Sequence, residues 1–512
     1  MNNLEIFVLL TLAVVLCIAN WRLGVSICLL VGFIQDPLRK LTPDEPIYFT
    51  ALVVVPLLAT LIGAYLRKVR INFRAIHSWN KVLRNPLNLF VLLVGLQSAA
   101  AIIKTGSPVI GAIGALSYLA PLPAILLGYH FSRSERDITP LIKVYLAVGI
   151  LMISGIYLSY AGYDWTVLKS VGEGLFIYSM EKGRLDLYSG FLRSPEIAAW
   201  HAAASVCLLI LLSLSLRRNA IFKSSAGVLV MFLLASLLFT GRRKFLIEIL
   251  LFVSIYALLL IWFLRKTIKS AFIFKSATVL AAGLVMGSIG YMYLASDLST
   301  SEIRPYYERS LDVRNEATDR VSVMTVESFQ HVIAQNGFFG SGAGTGSQGS
   351  QHFGGGSDIV GYAAEGGIGK VLAELGVPGV LLLLWLVISL ARYIWSIIMY
   401  ITHDKDVDPF LAKMTFGFVA FLITNGFVYT IAHQVFGDPF VLILLGFFLG
   451  FVLAMPKMQE RQQRKTLGER WTTKNWRRTR TDGQLSPQFT FSLPGSPSPL
   501  LGHRASVILP KQ

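Results

Sequence analysis

Charged residues are scarce in this chain: Asp, Glu, Lys and Arg make up only 15% of its 512 positions, against 54% apolar residues. Water-soluble domains carry roughly 25% charged residues, so the deficit excludes a soluble globular protein of this size and places the bulk of the chain in a bilayer. Cysteine is almost missing as well. Cys17, Cys28 and Cys207 all lie inside apolar runs, which excludes a disulfide framework and a Cys-based zinc site. His201, His331 and His352 show no H-x-x-x-H or similar ligand spacing, so no metal is expected. The first apolar run begins at Leu4 with no Lys or Arg before it and no small-residue cleavage signal after it, which points to a retained span. No internal repeat is evident.

What the chain has instead is apolar length. A spanning helix needs about 20 mainly apolar residues, and about thirteen such runs recur up to Ala454. The second, 23 to 34, is short, and another covers 277 to 295. The expected fold is therefore an all-α polytopic membrane protein of about 12–13 transmembrane helices, with the membrane domain spanning 1–455.

Cationic loops stay on the cytoplasmic side. The segment from Arg67 to Arg84 holds six Lys and Arg and no acid, and Arg217, Arg218, Lys223, Arg265, Lys266, Lys269 and Lys275 mark two further loops. The segment 456–512 adds eleven basic residues against three acids, mixed with Ser, Pro, Gly and Gln. It reads as a disordered cytoplasmic tail that meets anionic lipid rather than nucleic acid. Two long segments, 162–194 and 296–369, then face outward. The second carries nine acids and four cations, all of them arginine. A helix is expected from Arg304 to about Gln335, ended by Asn336 and Gly337. A glycine-rich stretch, GSGAGTGSQGSQHFGGGSD, follows, and it reads either as a flexible surface loop or as backbone built for close approach to a ligand. It is no dinucleotide fingerprint, since no strand precedes it, and GGIGK is no P-loop, since Val371 stands where Ser or Thr is needed.

The segment after it, AEGGIGKVLAELGVPGVLLLLWL (364–386), resembles the O-antigen ligase/polymerase family of bacterial membrane proteins. There a glycine-rich loop leads through "HN-x-x-L-x-x-x-x-E-x-G-x-x-G" into a spanning helix, and Leu372 to Gly379 match that ending. FTGRRKF (239–245) is similar to the family's "T-G-S-R", which puts Arg243 on its arginine, and GFLRSPEIAAWHA (190–202) to its "G-x-x-x-x-P-N" region. The resemblance covers about 189–454. Glu365 stands where the family commonly has His; a carboxylate can accept a proton in its place, from a lower unperturbed pKa.

This resemblance implies transfer of a glycan from undecaprenyl pyrophosphate to an acceptor hydroxyl, on lipid A-core for a ligase or on another glycan for a polymerase. The setting would be the outer face of a bacterial inner membrane. It implies an inverting, metal-independent reaction with no cofactor, because the lipid pyrophosphate is itself the leaving group. Glu365 would be the catalytic base. Arg243, Arg320 and Arg242 would hold the pyrophosphate, with Glu374, His201 and Arg193 in support.

The residues themselves carry part of this. Arg binds phosphate oxygens bidentately and keeps its charge near a bilayer. Arg242 and Arg243 sit at the outer end of a span, against the positive-inside trend, and charge at membrane depth tends to mark function. Arg320 has a second reading, a helical pair with Glu316, and Glu365 a second one as partner of Lys370 or cap of the incoming helix. Lone histidines are usually structural. Asp36, Asp44 and Glu45 read as turns around Pro37, Pro43 and Pro46. The rival class is a polysaccharide or lipid-linked glycan flippase. A transporter usually shows repeats and helices broken at the midplane, and the sequence shows neither.

Overall fold

A computed structural model describes residues 3–69, 71–73, 76, 82–171, 176–179, 183–216, 220–264, 328–347, 366–403, 408–431 and 433–482. It is an all-α membrane-type bundle. Among the described residues, ten helices are long and apolar enough to cross a membrane, and two shorter apolar helices, Glu5–Ala19 and Ser224–Thr240, accompany them. The expected span 277–295 lies outside the described residues. The only strands described are β1 (Phe176–Ser179) and β2 (Gly183–Asp186), an antiparallel hairpin in the segment 162–194.

The short second span of the sequence reading is a full one. Helix α2 runs Trp21–Leu41, with Asn20 capping its first turn and Pro37 inside it. Asp36 therefore sits on a helix, not in a turn: Pro37 removes one backbone hydrogen bond, but the helix continues to Leu41. Asp44 and Glu45 do lie in a turn, both at positive φ.

The remaining helices are α1 (Asn3–Ala19), α3 (Val54–Leu66), α4 (Arg84–Thr105), α5 (Pro108–Leu119), α6 (Pro121–Phe131), α7 (Glu135–Tyr160), α8 (Pro195–Ser215), α9 (Ala220–Thr240), α10 (Lys244–Leu264), α11 (Ser328–Asn336), α12 (Gly367–His403), α13 (Pro409–Ile431) and α14 (Pro439–Asp482). Helix α14 continues through the first part of the basic segment, where disorder is expected from 456 onward. Its Lys, Met, Gln, Glu and Arg are good helix formers, and residues 483–512 lie outside the described set. The chain parts into two units, Met1–Glu460 and Arg461–Gln512; everything below concerns the first.

Helices α8 and α14 form the centre, each with 89% of its apolar window buried, against 33% for α4 and α10. Lipid gives no hydrophobic drive for helices to associate, so close packing of small residues does that work. Gly128 of α6 lies so near α14 that a Cβ there would be 2.6 Å from the Phe447 carbonyl oxygen.

Contacts sort the helix ends into two sets. At one end Arg22 pairs with Asp137 at 2.6 Å and bonds the Phe131 carbonyl, Arg67 bonds the Ala19 carbonyl, and Lys413 bonds that of Leu214. At the opposite end Asp36, Arg193 and Asp438 meet, Glu196 meets Arg242 and Lys244, and Glu45 meets Lys169. The candidate chemistry gathers at this second end.

Candidate site at one end of the bundle

The turn Gly241-Arg242-Arg243 joins α9 to α10. Gly241 takes φ 63°, a left-handed conformation that ends α9 without a Cβ penalty. This places Arg242 and Lys244 against Glu196, in the first turn of α8: Arg242 Nε lies 3.2 Å from one carboxylate oxygen and Lys244 Nζ contacts the other. Neither contact has the alignment of a hydrogen bond, so charge holds them. Ser194 caps α8 by accepting from the Ile197 N–H, and Pro195 takes the position that needs no N–H. Two helix N-termini, of α8 and α10, thus converge where Arg242 and Lys244 face one buried carboxylate. Helix N-termini carry partial positive charge. Anionic groups are favoured there, and Glu196 is one.

A second cluster lies at the same end and has the opposite balance. Arg193 is set between two buried carboxylates, 2.5 Å from Asp438 and 3.4 Å from Asp36, and its backbone N–H donates to Asp36 at 3.0 Å. Asp438 also caps α14 through the N–H groups of Phe440 and Val441. Burial pushes the Asp438 carboxyl above the usual range, with Arg193 opposing. One turn along α2 from Asp36, Lys40 donates to the carbonyls of Val167, Gly190 and Leu192. Arg193 is therefore consumed in tying α2, α8 and α14 together, rather than supporting a ligand as the sequence reading proposes.

The glycine-rich stretch is built into the protein as far as it is described. Helix α12 breaks at Gly376 (φ 70°, ψ −169°), and Pro378 has no N–H to offer the Glu374 carbonyl. The loop repairs both faults. Ser341 N–H donates to the Ala373 carbonyl at 2.8 Å, Gly342 N–H to that of Glu374 at 3.1 Å, and Val377 N–H to that of Phe338 at 2.9 Å. Ala343 N–H reaches the Gln97 carbonyl of α4 at 3.0 Å, and the backbone of Gly344 lies against Ile110 and Gly114 of α5, where no Cβ would fit. Glu374 is fully buried and fastens this arrangement, accepting from Tyr118 Oη at 2.7 Å and Gly346 N–H at 3.1 Å. Irregular backbone at membrane depth is tolerated only where protein satisfies it. The flexible-loop reading fails for 337–347, because its peptide groups are the partners of the broken helix. The sequence reading also expects no broken helix; α12 is one, since Gly376-Val377-Pro378 inside an apolar run gives no clue to how the interruption is satisfied.

Beneath the cationic turn lies a buried polar chain. Trp200 Nε1 donates to Asn425 Oδ1 at 2.8 Å and Asn425 Nδ2 to Glu248 at 3.1 Å, joining α8, α13 and α10. His201 is wholly buried, bonded to Tyr145 at 2.9 Å and enclosed by Phe33, Trp200 and Phe440. It is a core histidine, not a residue at the mouth of a site.

Arg242 and Arg243 thus stand together as expected, Glu374, Arg193 and His201 have structural contacts, and Glu365 and Arg320 lie outside the described residues. Glu196, Lys40, Asp438, Glu248 and Asn425 were missed. The only signal for Glu196 is its place after Ser194-Pro195 at a helix start; its cations come from more than forty residues away. No family model matches the chain, and none of the curated proteins matches it.

Proposed function

We propose that the chain is a membrane glycan transferase that takes a glycan from undecaprenyl pyrophosphate and joins it to an acceptor hydroxyl, as an O-antigen ligase or a glycan polymerase does. The observation that carries this is the placing of Arg242 and Lys244 against one carboxylate, with Arg243 between them in the same turn, beside two helix N-termini at one end of a membrane bundle. A pyrophosphate there meets bidentate guanidinium donors, and these also stabilise the charge that develops on the leaving group. With the cationic loops assigned to the cytoplasm, this end faces outward, the side that the sequence reading gives to 162–194 and 296–369, and the lipid anchor of the donor fits beside α9 and α10 in the bilayer.

One observation favours a transporter: the break in α12. The carbonyls it frees at Ala373 and Glu374 are, however, already bonded by Ser341 and Gly342, so the break is repaired within the protein, and this ranks transport second. Proteoliposomes holding the chain, a labelled lipid-linked glycan and an acceptor separate the two readings. Label covalently joined to the acceptor supports transfer; labelled lipid crossing to the inner leaflet without a new glycosidic bond supports transport. Sidedness has its own check. The three native cysteines are buried, so Ala334→Cys is expected to react with an impermeant thiol reagent in permeabilised-envelope cells and Arg133→Cys to be silent; the reverse pattern would invert the topology.

A further inference from the structure

We propose that Glu196 is the proton acceptor of the transfer reaction, kept out of use by Arg242 and Lys244 until a pyrophosphate takes those cations from it. This rests on the reading of the cationic end as a lipid-pyrophosphate site. Glu196 is 6% exposed, each of its carboxylate oxygens faces a cation, and neither oxygen makes an aligned hydrogen bond. A single carboxylate spanning two cations from a neighbouring turn has the place and charge of a bound oxyanion. A pyrophosphate offers more charge and more oxygens, and Arg prefers the bidentate geometry it can supply, so the ligand outcompetes the side chain.

Displacement leaves the carboxylate beside the bound ligand, because α8 is one of the two most enclosed helices among the described residues and fixes where residue 196 can go. Freed of its two cations, the carboxylate has both oxygens open to accept from the acceptor hydroxyl. In the step that follows, the acceptor oxygen forms a bond to the anomeric carbon, and the bond from that carbon to the pyrophosphate oxygen breaks. Its electron pair leaves with undecaprenyl pyrophosphate, held by Arg242 and Arg243, and the hydroxyl proton passes to Glu196. Donor binding thereby switches on the base. This assigns to Glu196 the role that the resemblance gives to Glu365.

The test uses the full-length chain in detergent for binding and in proteoliposomes for turnover, with inorganic pyrophosphate as the probe. Glu196→Gln should bind pyrophosphate at least about tenfold more tightly than the wild type, while transfer falls by about 10²- to 10⁴-fold, the usual worth of a positioned base. Glu196→Asp, which keeps the acid but shortens its reach, should recover part of the turnover. A mere latch between α8 and the α9–α10 turn predicts loss of thermal stability with no gain in affinity, and that result overturns the proposal. So does wild-type turnover in Glu196→Gln, or abolition of turnover by Glu365→Gln with Glu196→Gln active. If Arg242→Ala abolishes pyrophosphate binding and Glu196→Gln leaves it unchanged, only the role of Glu196 falls. If wild type, Glu196→Gln and Arg242→Ala all fail to bind, the cationic-site reading falls with it.

Discussion

Two clusters at the same end of the bundle use the same residue types in opposite proportion. Around Arg193 one guanidinium is shared by two buried carboxylates; around Glu196 one carboxylate is shared by cations of a neighbouring turn. In the first, backbone N–H groups of Arg193, Phe440 and Val441 satisfy the remaining oxygens, and the result is a closed clasp between helices distant in sequence. In the second, each oxygen of Glu196 faces a cation without the alignment of a hydrogen bond, the arrangement on which the proposed pyrophosphate site draws. Buried ion pairs become structural when every lone pair is occupied and receptive when it is not.

The sharpest way to break this contrast is to open the clasp. Arg193→Met leaves Asp36 and Asp438 buried without their cation, and removing one partner of a buried pair costs about 3–5 kcal/mol. Unfolding of the purified chain by SDS titration should show a loss of that size, whereas Glu196→Gln, whose oxygens make no aligned hydrogen bond, should leave the unfolding curve close to wild type. Equal destabilisation by both would erase the distinction.

Somewhat smaller is the effect expected on activity. Arg242→Lys or Arg243→Lys keeps the charge but loses the guanidinium fork, and the proposed transfer should drop by about 10²-fold, within the range seen when one transition-state donor is removed. Initial rates in proteoliposomes at matched protein levels measure this. Rates within twofold of wild type at both positions would take them out of the site.

The broken helix gives a third, milder test of the same end. Gly376→Ala places a Cβ on a residue at φ 70°, ψ −169°, a region essentially confined to glycine, against the backbone of Phe338 and Phe339, and the conformation alone costs about 1–3 kcal/mol before any clash. Limited proteolysis should then cut at 337–347, a segment that the broken helix holds down in the wild type. Unchanged resistance would show that the loop is held from elsewhere. At the bottom of the scale stands Lys169, which pairs with Glu45 at 2.8 Å from an exposed position. Lys169→Ala should shift neither thermal stability nor turnover, because water screens such a pair; a measurable loss would mean that the rim of the site is less wet than its exposure implies.

The sequence alone determined that this is an all-α membrane bundle, because a bilayer leaves a backbone few ways to satisfy its polar groups and apolar length records the choice. It also singled out Arg242 and Arg243 at a helix end, and it ended α11 at Asn336 and Gly337. Only the tertiary structure decided what the other charged residues do. Asp36 reads as a turn residue until Arg193 and Asp438 arrive from 157 and more than 400 positions away. The glycines of 340–344 look like open loop until the break at Gly376 leaves peptide groups that their backbone must meet, and Glu196 looks like an ordinary first-turn acid until α10 brings its cations. Local pattern encodes helix and span, but an ion pair or a repaired helix exists only between segments. Its energy depends on distances that neither segment carries by itself.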